Sequence, residues 1–245
     1  MVDDAVFENR RPSKAELRKA KRTLKTSKQT GRHFTPLVPK TEAQQEFLDA
    51  IKENTVVLAC GGAGVGKTYV ASRYALERLV KSEIDRIIIT RPMVPVSGEA
   101  IGFLPGGVKE KTDPWTIPII DALCEGVSKT TVETMIKEGK IEFVPFAYIR
   151  GRTFNNCFIL ADESQNLTIE QFKVLITRVG EDSQIVISGD IRQSDLKTKN
   201  GLEYAIRVAE ACNLDCEIFE FDDSDVVRSA VVAQWVAAFQ EYGDS

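Results

Sequence analysis

Runs of apolar, β-branched residues recur along the chain, and residues with helical spacing fill the intervals between them. Thr55–Cys60, Arg86–Thr90, Cys157–Ala161 and Gln184–Ser188 are continuous runs of the kind found in strands buried on both faces. Ile141–Phe146 is a shorter candidate, and Cys216–Phe221 alternates like a half-buried strand. Helices are predicted from Thr41, with Phe47, Leu48 and Ile51 on its apolar side, and from Lys67 to about Val80, with Val70, Ala71, Tyr74, Ala75, Leu76 and Leu79. Further helices are expected over Thr168–Val179, Gly201–Cys212 and Asp225–Tyr242. Strands alternating with helices predict an α/β fold, a parallel sheet with helices on both faces. The stretch between Arg91 and Lys140 is too rich in Gly and Pro for one crossover helix and reads as an elaborated insertion on the functional edge.

The first strand runs into Gly61-Gly62-Ala63-Gly64-Val65-Gly66-Lys67-Thr68, a full G-x-x-x-x-G-K-[ST] pattern between a strand and a helix. Glycines suit this place because the loop must turn backbone N–H groups inward around phosphate oxygens with no Cβ in the way. The helix N-terminus adds positive potential, Lys67 can reach the β- and γ-phosphates, and Thr68 can hold Mg²⁺. The pattern therefore predicts binding of a nucleoside triphosphate. The run Cys157–Ala161 ends in Asp162-Glu163. A carboxylate at the end of a buried strand beside such a loop holds the metal, which is the role expected of Asp162. Glu163, on the other side of the strand end, can polarise an attacking water. A third run ends in Gly189-Asp190 with Gln193 three residues on, a polar group placed to sense the γ-phosphate.

The 245-residue chain, 43% hydrophobic and 28% charged, is large enough for one substantial core. No apolar run approaches a membrane span, and the N-terminus is unlike a secretory signal. Five cysteines without a C-x-x-C pair read as free thiols in a reducing compartment, so a cytoplasmic protein is expected. His33 is the sole histidine, which disfavours a Cys/His zinc site and a two-histidine nuclease. The net charge of −4 hides an asymmetry. Ten of the 32 Lys and Arg lie between Arg10 and His33 with one acid, Glu16, leaving 22 basic against 35 acidic residues elsewhere. Residues 1–40 thus read as a basic arm, partly helical if Ser13-Lys14-Ala15-Glu16 caps it, and 41–245 as the catalytic domain. Such an arm suits a polyanion such as single-stranded RNA or DNA; the alternatives are a solvated tail or docking on an acidic neighbouring subunit.

Several segments together resemble the PhoH-like ATPases, which are themselves similar to the first motor domain of superfamily 1 helicases. They are Gly61–Thr68, Arg91-Pro92 followed by Ile101-Gly102-Phe103-Leu104-Pro105-Gly106, Lys111 with Pro114 and Pro118, and Ile149-Arg150-Gly151-Arg152-Thr153-Phe154. Ala161-Asp162-Glu163-Ser164-Gln165-Asn166, Thr177-Arg178-Val179-Gly180, Gly189-Asp190 with Gln193 and Asp195-Leu196, Gly201-Leu202 and Asp225-Val226-Val227-Arg228 complete the set, in family order from about Thr41 to Phe239. Gly107 and Ser229 depart from the family's usual residues, and the basic arm is not part of its pattern. The resemblance implies a RecA-like P-loop NTPase fold, with Gln44 (or Gln45) as adenine sensor and Gln193 on the γ-phosphate. It also implies that Arg91, Arg150 and Arg152 lie on the nucleotide or nucleic-acid edge.

Three functions are compatible with these features. The first is a Mg²⁺-dependent, nucleic-acid-stimulated ATPase or helicase-like motor. The second is an ATP-controlled oligomeric switch or scaffold that unwinds nothing. A nuclease with an ATPase module is the weakest, since the chain has no room for the PIN ribonuclease domain fused to some relatives. Phosphoryl transfer gains from an arginine at the γ-phosphate, which superfamily 1 helicases draw from a second motor domain. A ring homo-oligomer, a hexamer by preference, is therefore expected, with Arg228 or Arg178 of a neighbour completing each site.

Overall fold

The computed structural model describes residues 34–92, 114–194 and 200–227, together with residues 231, 235 and 238. Six strands form one parallel sheet: β1 (Val56–Cys60), β2 (Arg86–Arg91), β3 (Ile141–Pro145), β4 (Cys157–Ala161), β5 (Gln184–Gly189) and β6 (Glu217–Glu220), in the order β3-β2-β4-β5-β1-β6. The helices are α1 (Glu42–Glu53), α2 (Lys67–Val80), α3 (Ile117–Cys124), α4 (Lys129–Lys137), α5 (Ile169–Ile176) and α6 (Gly201–Cys212). Thr41 caps α1 by accepting from the Gln44 N–H, and Thr168 with Gln171 forms a capping box on α5.

Alternation along the strands divides the core. Leu58, Cys60, Ile88, Ile159, Ala161, Ile185 and Ile187 pack on one face with Phe172 and Leu175 of α5 and Leu202 and Ile206 of α6. The opposite face receives α2, whose Tyr74 ring meets Phe158 edge-on at 6.0 Å. The central strands are buried along nearly their whole length, which is why they read as unbroken apolar runs rather than alternating ones. The RecA-like expectation is met.

Two local expectations are corrected. The stretch after Arg91, expected not to be one crossover helix, contains two short helices from Ile117 onward, α3 started by a proline near its first turn and α4 by the Ser128 cap. Helix α5 stops at Ile176, earlier than Val179. The Thr177 hydroxyl turns back to the Lys173 and Val174 carbonyls, and the Arg178 carbonyl accepts from the Phe154 N–H. No helix begins at Asp225: Asp222 caps a single 3₁₀ turn, Asp223–Asp225, and Val226 is extended. Residues 231, 235 and 238 are helical. The Ser13–Glu16 cap lies outside the described residues.

An aromatic cluster joins α1 to the β6 edge. Phe47 is fully buried, with its ring centroid 5.2 Å from Phe219 and 5.1 Å from Phe221. Truncating such a ring leaves a cavity that the backbone on either side fills poorly. Phe47→Ala is expected to cost about 3–5 kcal/mol. Urea titration should show a lower midpoint at an unchanged slope, and a loss under about 1 kcal/mol would contradict this packing.

Candidate functional site

All strands run parallel, so their C-terminal ends share one edge, where crevices between strand-end loops take ligands. The loop Gly61–Gly66 leaves β1 there and delivers Lys67 and Thr68 as the first residues of α2. Gly66 caps that helix at φ 102, and a Cβ on it would stand 2.5 Å from the Gln44 Nε2. Only glycine fits both the left-handed backbone and that approach. Lys67 Nζ donates to the carbonyls of Gly61 at 2.6 Å and Gly62 at 2.9 Å, which holds its ammonium inside the loop. Burial pushes the Lys67 pKa down, while Asp162, Asp190 and Glu163 push it back up.

Asp162 follows β4 and is buried. Its Oδ1 accepts from Thr68 Oγ1 at 2.8 Å and from Ser188 Oγ at 2.9 Å, and its N–H donates to the Thr90 carbonyl. One carboxylate oxygen thus joins the phosphate-loop helix, β4 and β5. Glu163 sits in left-handed backbone at φ 52, uncommon for a residue with a side chain. Gln165 Nε2 donates to its Oε2 at 2.6 Å, and Arg91 lies 3.5 Å from its Oε1. The other end of the buried Gln165 amide accepts from the Asp190 N–H at 3.1 Å. Asp190 caps the turn Ile191–Gln193, whose last residue reaches the same cleft.

That cleft, about 430 Å³, is lined by Gln44, Lys40, Tyr69 and Pro118 together with Lys67, Thr68, Asp162, Glu163, Asp190 and Gln193. Gln44 faces it, whereas Gln45 is exposed and donates to Asp49. The Gln44 amide accepts from the Lys40 N–H and donates to the Val65 carbonyl, leaving one lone pair and one hydrogen for a ligand. Lys40 lies over the Tyr69 ring at 5.5 Å. Sequence reasoning missed Ser188, Gln165, Lys40 and Tyr69; only Gln165, within the acidic motif, carried a signal.

The arginines divide differently from expectation. Arg91 ends β2 and lies on the cleft edge. Arg152 does not: it pairs with Glu142 at 2.7 Å, and Glu142 also holds Arg86, the first residue of β2, so Arg152 lies toward the N-terminal ends of the strands. Arg178 is beside it, donating to the Arg152 and Val174 carbonyls and to Thr177 Oγ1. These bonds make it a brace for its own chain and argue against the role of a free trans-acting arginine. Arg228 lies outside the described residues.

The sequence model described as PhoH-like protein matches residues 36–240. The chain belongs to the PhoH-like family. A PhoH-like protein of Mycobacterium tuberculosis is 43% identical over 206 residues, covering 83% of this chain and 58% of the relative. The protein PhoH of Escherichia coli is 37% identical over 212 residues, covering 85% and 59%. The chain thus spans about three-fifths of the length of these PhoH-like relatives. The large terminase ATPase domain of a Thermus phage shares the fold at a TM-score of 0.51, with 14% identity over 84% of this chain and 90% of that domain. This likeness and the PhoH-like match agree on a P-loop NTPase fold.

Cys60 ends β1 immediately before the loop. Burial, with Glu220 nearby, raises its thiol pKa to about 11. At pH 8 roughly one molecule in a thousand then carries the thiolate, the form that alkylates. Iodoacetamide on the native protein at pH 8 should modify the exposed Cys212 and spare Cys60, read by peptide mass spectrometry. Equal labelling of the two would refute this environment.

Proposed function

We propose that this chain is a Mg²⁺-dependent ATPase, stimulated by single-stranded nucleic acid and working as a ring of identical subunits in the cytoplasm. The observation that carries the reading is the 2.8 Å bond between Thr68 and Asp162, which fastens a phosphate-type loop to a strand-end acid beside Glu163. Thr68 and Asp162 offer only hard oxygen donors, the set that suits Mg²⁺, and they would hold it. When bound, the ion neutralises charge on the phosphate oxygens. Lys67 and the loop N–H groups bind the phosphates, with the α2 N-terminus adding its dipole. Glu163, aimed by Gln165 and Arg91, takes a proton from the attacking water. Gln193 contacts the γ-phosphate, and Gln44 with Lys40 and Tyr69 flanks the base.

Among the described residues no arginine lines the cleft. In phosphoryl transfer an arginine on the γ-phosphate contributes about 10³–10⁵ in rate, and a ring supplies one from the next subunit. The basic arm over 1–40 gives the acidic body, residues 41–245, its grip on RNA or DNA. A switch without unwinding is the second reading. It is favoured by the hydrogen bonds running from Glu163 through Gln165 to the Asp190 turn, which connect the hydrolytic acid to a surface segment. No helix among the described residues is long and apolar enough to cross a membrane.

Lys67→Ala should abolish nucleotide binding. Glu163→Gln should keep ATP bound while lowering turnover about 10²–10⁴-fold, since the metal ligands remain. Filter binding and phosphate release separate the two effects, and wild-type turnover by Glu163→Gln would refute the acid's role. Single-stranded RNA or DNA should raise wild-type turnover; no response to either favours the switch.

Deleting residues 1–33 should weaken nucleic-acid binding and leave basal hydrolysis intact. Affinity measured against salt should lose about 0.7 of log–log slope for each phosphate contact removed. Unchanged affinity with disturbed sedimentation would instead assign the arm to another subunit.

A further inference from the structure

Among the described residues Arg73 is the only buried arginine, 2% exposed, one helical turn beyond Tyr69 on α2. Its guanidinium is unevenly served. Nη2 donates to the Thr35 carbonyl at 2.6 Å, and Nη1 reaches the Ala122 carbonyl at 3.5 Å and lies 3.8 Å from the Glu125 Oε2. The buried Nε finds no partner among the described residues. A buried cation with a donor left over is costly, and an aliphatic side chain of similar length would avoid that cost. Packing alone therefore does not account for an arginine here. The groups that it fastens do.

Thr35 opens the stretch 35–40, which carries Lys40 to the cleft, and its own N–H donates to the Gly126 carbonyl at 2.8 Å. Ala122, on α3, lines the cleft, and Glu125 follows the end of that helix. The Glu125 Oε2 accepts from the Tyr69 hydroxyl at 2.6 Å. Gly126 leaves room for the cation, since a Cβ there would stand 3.3 Å from the Arg73 Cζ and 2.6 Å from Leu76 Cδ2. One side chain thus ties together the helix that starts at Lys67, the stretch before α1 and the end of α3. Each of the three supplies wall to the cleft, as Tyr69, Lys40 and Ala122. Lys40 in turn sets the Gln44 amide, whose Oε1 accepts from the Lys40 N–H at 2.9 Å. The acceptor and donor left on that amide complement the N6 amino group and N7 of adenine. Lys67 and Thr68 bond instead to Gly61, Gly62 and Asp162, none of which bonds to Arg73.

We propose that Arg73 is the positioning residue for base recognition: from behind the cleft wall it fixes Lys40 through Thr35 and Tyr69 through Glu125. This rests on the ATP-site reading above and names what holds its base-flanking residues in place. Arg73 touches no part of the nucleotide. Its removal loosens the grip on the base and leaves the phosphate loop, the acid pair and their bonds intact.

Arg73→Met fills the buried space without the bonds. Calorimetric titration of the full chain with ATP, GTP and inorganic triphosphate separates what the base contributes from what the phosphates contribute. Arg73→Met should weaken ATP about tenfold, the worth of one or two hydrogen bonds, and triphosphate less than about twofold. ATP and GTP should move closer together in affinity. In turnover the loss should fall on KM, with kcat within about threefold of wild type. Equal weakening of ATP and triphosphate overturns the proposal, and so does unchanged ATP binding. A wild-type chain that binds triphosphate as tightly as ATP overturns the base site itself; a base site present in wild type and untouched in Arg73→Met overturns Arg73 alone. If Arg73→Met does not fold, the exposed Glu125 carries the test. Glu125→Ala should weaken ATP about threefold, and Glu125→Gln, whose amide oxygen still accepts from Tyr69, should restore it. Wild-type affinity in Glu125→Ala, or no recovery in Glu125→Gln, overturns the proposal.

Discussion

A single carboxylate oxygen holds the candidate site together. Asp162 Oδ1 is buried and accepts from hydroxyls on two other elements, Thr68 at the start of α2 and Ser188 near the end of β5. A buried carboxylate without such partners is costly, so the arrangement depends on the sheet register that brings the three together. β5 lies between β4 and β1, pairing Ala59 with Ser188 and Ala161 with Ile187. Strand side chains alternate, so a one-residue slip of β5 would turn Ser188 to the other face and put an aliphatic residue against the acid. The apolar runs that bury the strands therefore also fix the chemistry at their ends.

A second set of bonds leaves that centre sideways. Gln165 spans from the Glu163 carboxylate to the Asp190 backbone, and its own carbonyl accepts from Ser194 Oγ. Gly189 makes room for it, since a Cβ there would lie 2.7 Å from the Gln165 Oε1. Glu163 is held in left-handed backbone between this amide and Arg91. The turn after β5 is thus connected to Glu163 through a single amide.

The phosphate loop, the acid pair and the four long strands were legible because each rests on local pattern: glycine spacing, and unbroken apolar runs for strands covered on both faces. The helices α3 and α4 were not, being short and set after a proline-rich stretch in which propensity says little. Ser188 and Gln165 escaped for another reason. The Ser188 partner Asp162 and the Gln165 partner Asp190 are each about 25 residues away in sequence, and the register that brings them together is a tertiary fact. Gln44 shares the helical face of Phe47, Leu48 and Ile51, and that buried face of α1 meets the loop, so the periodicity itself separates Gln44 from the exposed Gln45.

The misplaced arginines follow from strand direction. A crossover between parallel strands starts at the C-terminal end of one strand and must finish at the N-terminal end of the next. The segment from Pro145 to Cys157 makes that journey, and Arg152, past its middle, has already descended to Glu142. Proximity to a motif in sequence therefore does not predict proximity in space once the chain has turned back. In a six-stranded parallel sheet with its phosphate loop near one side, a cation that follows the opposite outer strand is remote from its own cleft, four strand spacings or about 19 Å away.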